Sequence, residues 1–233
     1  LAAAAEQLGI DTKFSGNEAA QGFLVLAKAG YTVEQSLSAL PGILNLATSE
    51  QIGIAEAAKF TTNALQAFGL EAKDAGAVTS LVSSLAGASA GSIQDLENAL
   101  ANGGATANTY GQSLQTLATY TGLLADAGTD GATAGTSLKT VLLGLFAPSK
   151  EQSEALRALG VSAYDAAGQA RPLFDVVQDL GGALSQLTEE QKNAYLATIA
   201  GSFGISGLST LLNAGEAQHK KYADAALDTA YGQ

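Results

Sequence analysis

A serine between two glycines is the first place in this chain where chemistry could be sought. Gly87-Ala-Ser89-Ala-Gly91 matches G-x-S-x-G, the nucleophile elbow in which a strand-to-helix turn exposes a serine hydroxyl. The elbow needs a buried strand before it, but the apolar residues from 78 to 86 recur at helical spacing. The single histidine, His219, lies beside two lysines in a segment predicted to be a polar helix. These residues therefore do not predict a hydrolase.

Carboxylate pairs could act as general acid and base. The nearest pairs are Glu189 with Glu190 and Asp95 with Glu97. Glycoside hydrolysis needs two carboxyl groups on opposite sides of a sugar. Glu189 and Glu190 stand instead where a helix begins and its dipole favours acids. We interpret both as residues that start a helix.

The sequence contains no pattern typical of a metal or cofactor site. The chain has no cysteine, which excludes disulfides, thiolate catalysis and cysteine-based zinc sites. Phosphate-binding and dinucleotide-binding glycine motifs are absent, and Asp126-x-x-x-Asp130 lacks the alternating ligands of a calcium loop. The sequence therefore predicts no catalytic, cofactor-binding or metal-binding residue, and we expect that the protein is not an enzyme.

The overall charge argues against nucleic acid as a specific partner. The chain has 11 basic and 22 acidic residues and a net charge of −11. Its basic residues are scattered, so they form no stripe that could follow a phosphate backbone. We expect no sequence-specific binding of nucleic acid.

Start and stop signals define the elements of the fold. Capping boxes, in which Ser or Thr is followed three residues later by Glu or Gln, begin at Ser15, Thr32, Ser149 and Thr188. Glycines suited to end helices are Gly30, Gly69, Gly128 and Gly160. Pro41 and Pro172 are typical of first helical turns, and Pro148 ends the helix before it.

Between these signals the apolar residues recur every three or four positions, as on a helix with one buried face. Helices are predicted near residues 17–29, 33–47, 50–68, 73–88, 93–107, 113–127, 131–146, 150–159, 172–187, 189–203 and, with breaks, 205–230. Frequent terminators make the chain fold back on itself. We expect an all-α, compact array of about ten short antiparallel helices. Near 161–171, Asp165-Ala-Ala-Gly168 leaves open a small hairpin or a loop.

The domain prediction is one all-helical domain over residues 1–233. Because the chain starts at Leu1 and contains no Met, we expect it to be a fragment of a longer chain. Its centre, residues 75–149, carries only five charged residues. That segment is either a core covered by charged flanks or a segment that meets lipid or a partner helix.

The segment from residue 131 to 173 resembles a known family. Its parts are Gly131-Ala-Thr-Ala-Gly135-Thr-Ser-Leu-Lys139, the run Leu142 to Phe146, Pro148, ALRALGV at 155–161, Asp165-x-x-Gly168 and Leu173. The order of these parts resembles the conserved core of phage tail tape measure proteins. In that core a helix start of small residues is followed by a leucine run, a proline, Leu-Gly with an aliphatic residue, and an Asp-Gly turn.

Further blocks extend the resemblance to about residues 14–215. ALQAFGLEAKDA (64–75) and SLQTLATYTGLLADAG (113–128) resemble two upstream blocks, and SFGISGLSTLL (202–212) resembles the block with a Phe-Gly pair. The family often has a basic residue just after that pair, where this chain has Ile205 and Ser206.

The resemblance implies a non-enzymatic virion component, and no catalytic residue is transferred from it. Such a protein sets tail length, takes part in tail assembly and helps the genome pass into the host. Implied partners are copies of itself, tail tube and tip or baseplate proteins, assembly chaperones and, transiently, the host membrane. The implied location is the tail lumen or tip, after synthesis in the host cytoplasm or from a prophage. A membrane-active, bacteriocin-like pore-forming domain is the alternative.

Overall fold

The structure is a computed structural model, and it describes residues 14–227. It is 78% helical, so the all-α prediction is confirmed. The described chain divides into two compact units: residues 14–87 with 225–227, and residues 88–224. The single domain expected from the sequence stays a prediction. Residues 228–230 of the last predicted helix lie outside the described residues.

The first unit is built from short capped helices. They are α1 (Gly16–Lys28), α2 (Val33–Ser49), α3 (Ile54–Phe68), a 3₁₀ turn (Ala72–Asp74) and α4 (Ala75–Ala88). The predicted capping boxes at Ser15 and Thr32 both form. The helices close around an apolar core that includes Phe23, Leu26, Ile43, Phe60 and Val82.

Pro41 corrects one detail of the sequence analysis. It was predicted to suit a first turn, but it lies inside α2, eight residues after that helix begins. Proline has no amide hydrogen to donate to the carbonyl four residues earlier. That carbonyl belongs to Leu37, and both residues lie on the exposed side of α2, where water can satisfy it.

The second unit contains the remaining helices. They are α5 (Ile93–Ala99), α6 (Ala105–Thr109), α7 (Leu114–Asp126), α8 (Gly131–Phe146), α9 (Lys150–Ala158), α10 (Leu173–Leu184), α11 (Glu189–Asn213) and α12 (Gly215–Leu227), of which residues 225–227 belong to the first unit. A π-helical stretch, Leu100–Gly104, joins α5 to α6. The predicted capping boxes at Ser149 and Thr188 form at the starts of α9 and α11.

The predicted irregular segment near 161–171 is a small hairpin. Tyr164 and Ala170 form an antiparallel bridge, and the Arg171 N–H donates to the Ala163 carbonyl. Asp165 closes the turn because its carboxylate accepts hydrogen bonds from the N–H groups of Ala167 and Gln169.

Candidate functional site

The candidate site is α8 and the helices that pack on it. The first face of α8 meets α5 through two glycines. A Cβ on Gly131 would be 2.0 Å from the Asp95 carbonyl oxygen, and a Cβ on Gly135 would be 2.6 Å from the Ala99 Cα. Only glycine allows backbones this close. The Gly131-x-x-x-Gly135 spacing, which permits close helix crossing, thus forms a direct contact with α5.

Asp95 joins α5 to the start of α8. Its carboxylate accepts hydrogen bonds from the Ser92 N–H and hydroxyl, which completes a capping box, and from the Gly131 N–H at 2.9 Å. The Ser92 bonds are the main cause of the lowered pKa of Asp95, and the Gly131 bond adds to it. Sequence analysis interpreted Asp95 as one of a carboxylate pair; its structural role is to fix the helix start.

The second face of α8 packs antiparallel against α11. A Cβ on Gly207 would be 2.0 Å from Ser137 Oγ, and a Cβ on Gly204 would be 3.2 Å from Thr140 Cγ2. Further along, a Cβ on Gly144 would be 2.1 Å from the Ile199 carbonyl oxygen. At each of these contacts one helix contributes a glycine and the other contributes a side chain or a carbonyl. The glycine comes from α11 at two contacts and from α8 at the third.

The end of α8 is tied to the hairpin. The Phe146 carbonyl accepts a hydrogen bond from the Tyr164 hydroxyl at 2.7 Å, and the two rings meet edge to face. Tyr110 stacks on Phe146, with ring centroids 5.9 Å apart. The leucine run, proline stop and Asp-Gly turn thus build one continuous packing unit.

Gln112 is a structural residue that sequence reasoning missed. Its side chain is buried, donates to the carbonyls of Tyr110 and Arg171, and accepts from the Leu173 N–H at 2.9 Å. It joins the start of α7 to the start of α10. The Arg171 and Leu173 partners are about sixty residues away, so no local pattern could have found them.

His219 lies in a different environment from the one predicted. It was predicted on a polar helix, but its side chain is 7% exposed and packs between the rings of Tyr120 and Phe174. Burial lowers the pKa of His219, which favours the neutral ring. Apolar and aromatic neighbours make this a packing position. The same helix is fixed by a hydrogen bond from the Tyr222 hydroxyl to Asp126.

The other candidates for chemistry have structural surroundings. Ser89 follows α4 rather than a strand, and its hydroxyl accepts a hydrogen bond from the Gly91 N–H. Glu189 and Glu190 form the first turn of α11, as interpreted from the sequence. Among residues 14–227, no group of three or more His, Asp or Glu side chains could hold a metal ion.

The hydropathy of α11 bears on the membrane question. By length and composition alone this helix could cross a membrane, with a mean hydropathy of 1.4 over its best window. Gly204 and Gly207 of this helix pack directly on α8.

Known proteins match this chain over the segments described above. A family model described as phage-related minor tail protein matches residues 2–201. The "Tape measure protein" of Pneumococcus phage Dp-1 is 36% identical over 222 residues, covering 95% of this chain and 19% of that protein. The "Probable tape measure protein" of Escherichia phage P2 is 30% identical over 212 residues, covering 90% of this chain and 26% of that protein. No solved structure matches the chain significantly.

Proposed function

The chain belongs to the phage-related minor tail protein family, and on this premise we propose that it is a structural segment of a tape measure protein in a phage or phage-like tail. The match over residues 2–201 is the observation that carries the proposal. The chain spans about a fifth of the length of the first relative named above and about a quarter of the length of the second. The proposed role of the segment is as part of a longer protein, in tail assembly and length determination.

The proposed role rests on packing rather than catalysis. In the segment that carries the family resemblance, residues 131–173, Gly131, Gly135 and Gly144 lie in helix contacts, and Ser149 and Asp165 lie in a cap and a turn. The function is then to hold a defined arrangement of helices in the tail. The alternative of a bacteriocin-like pore former gains no support from the comparisons.

The proposed partners are other tail components. They are further copies of the chain, tail tube and tip or baseplate proteins, and the chaperones that coat the protein during assembly. The proposed location is the tail lumen or tip until the genome leaves, with transient contact with the host membrane.

The experiment that tests this proposal is peptide mass spectrometry of purified virions. Peptides from residues 14–215 are expected in intact tails, at a constant ratio to the tail tube protein, and are expected to be depleted after the genome has been released. Virions that assemble tails without any of these peptides would contradict the proposal.

A further inference from the structure

Helix α11 is broken in its middle at Gly201. The φ of Gly201 is 60° and its ψ is −175°, a combination open essentially only to glycine. Both flanking segments, toward Glu189 and toward Asn213, are helical. The break therefore depends on glycine at this position, and another residue there would favour ordinary helical angles.

Gln152 holds the backbone beside the break, and Gly144 leaves room for it. The Ile199 carbonyl accepts a hydrogen bond from Gln152 Nε2 at 2.9 Å. Gly144 has no side chain at the point where α8 meets the same carbonyl, 2.1 Å from the position of a Cβ. The other end of the Gln152 amide completes the capping box of α9, because its Oε1 accepts from the Ser149 N–H. Gln152 is thereby fixed in place to bind Ile199.

The break also bears on the exposure of Phe203. Ile199 and Ala200 are fully buried, and Phe203 is 76% exposed. Phe203 is four residues after Ile199 and three after Ala200, so in an unbroken helix all three would share one face. Beyond the break Gly204, Gly207 and Leu208 are buried, whereas Phe203 is not. The break thus leaves Phe203 outside the packed face.

We propose that the break is a latch, held by Gln152 and Gly144, between this broken form of α11 and a straight form. In the straight form Phe203 lies in one apolar row with Leu196 and Ile199. The latch is a property of this chain's own helices and does not rest on the proposed role in a tail.

The test is a spin-label distance across the break. Because the chain has no cysteine, Ala194→Cys with Asn213→Cys places two labels on exposed positions without competing sites. Nineteen residues of straight helix separate these Cα atoms by about 28 Å. The parent protein is expected to give a single distance displaced from this value by the break.

Three further variants decide whether the latch exists. Gly201→Ala is expected to move most of the distribution to the straight-helix distance. Gln152→Glu keeps an acceptor for the Ser149 N–H, but its carboxylate is ionised at neutral pH and cannot donate to the Ile199 carbonyl. This variant is therefore also expected to populate the straight-helix distance. Gln35→Glu changes the equivalent capping-box position of α2 in the same way, and is expected to leave the distribution unchanged.

Circular dichroism establishes that each variant is folded. If Gly201→Ala and Gln152→Glu fold and keep the parent distance, the latch proposal is wrong. If Gly201→Ala alone moves the distance, the role assigned to Gln152 is wrong. If Gly201→Ala does not fold, Gln152→Glu decides the matter by itself.

Discussion

Gly144 and Ile199 bring the backbones of α8 and α11 close together, since a Cβ on Gly144 would be 2.1 Å from the Ile199 carbonyl oxygen. With Gly131, Gly135, Gly204 and Gly207, this contact places small residues where helices cross. These small residues thus have a physical role, which is to let several helices approach one central helix.

Gly144→Ala is expected to destabilise the folded chain. The added methyl group collides with the backbone of Ile199, and such overpacking typically costs about 1–3 kcal/mol. At this chain length each kcal/mol lowers the unfolding temperature by about 2–4 °C. Thermal unfolding followed by circular dichroism measures the change.

Gly182→Ala is the matched control, because a Cβ there meets nothing within 4 Å. Alanine is the better helix former by about 1 kcal/mol, so this variant is expected to be unchanged or slightly more stable. Equal stability of Gly144→Ala and Gly182→Ala would contradict the close contact between α8 and α11.

Asp95→Asn is expected to weaken the junction of α5 and α8 in a pH-dependent way. The pKa of Asp95 is lowered in the folded state, so its carboxylate stabilises the fold at pH values above the ordinary aspartate pKa of about 3.9. This contribution is lost as the pH falls through the lowered pKa. The free energy of unfolding, measured with denaturant, should therefore differ between parent and variant at pH 7. The two values should converge as the pH falls below about 4. A difference independent of pH would rule out a role for the charge.

His219→Phe is expected to remove a pH dependence of stability near neutrality. Burial lowers the pKa of His219 in the folded state, so below the ordinary histidine pKa of about 6.5 the unfolded chain binds more protons. Stability is then full above that pH and falls as the pH drops from 7 to 5. Because this is the single histidine, the variant should have a flatter profile. Parallel profiles of stability against pH for parent and variant would show that folding does not lower the pKa of His219.

Tests for hydrolysis should find no activity that depends on the carboxylates or the histidine. Peptidoglycan and peptide substrates are the relevant ones, with His219→Ala and Glu190→Gln as variants. The expectation follows from the first-turn position of Glu190 and the apolar surroundings of His219. Cleavage by the parent that disappears in either variant would overturn the non-enzymatic account.

Local signals predicted much of this fold. The boxes that begin at Ser15, Thr32, Ser149 and Thr188 all form, because each depends on residues only three positions apart. Gly30, Gly69, Gly128 and Gly160 all have positive φ, as expected of helix ends. Asp165 and Gly168 likewise define their hairpin within a few residues.

Features that depend on distant residues were missed. Separate helices were predicted to end near residue 203 and to begin at 205, but the contacts of Gln152 and Gly144 beside the break at Gly201 come from other helices and were not predicted. His219 has polar neighbours in sequence, and its burial comes from Tyr120 and Phe174 in other helices. Tertiary contacts of this kind override a local pattern.

Electron microscopy of tails tests the central claim most directly. In a phage whose tape measure gene encodes this segment, Gly144→Leu should disrupt the packing of α8 on α11, whereas Gly182→Leu on the open side of α10 should not. The account predicts that lysates of the Gly144→Leu phage contain few tails or tails of abnormal length, and that Gly182→Leu tails are normal. Tails of normal number and length in the Gly144→Leu phage would contradict the claim that helix packing in this segment is needed to build the tail.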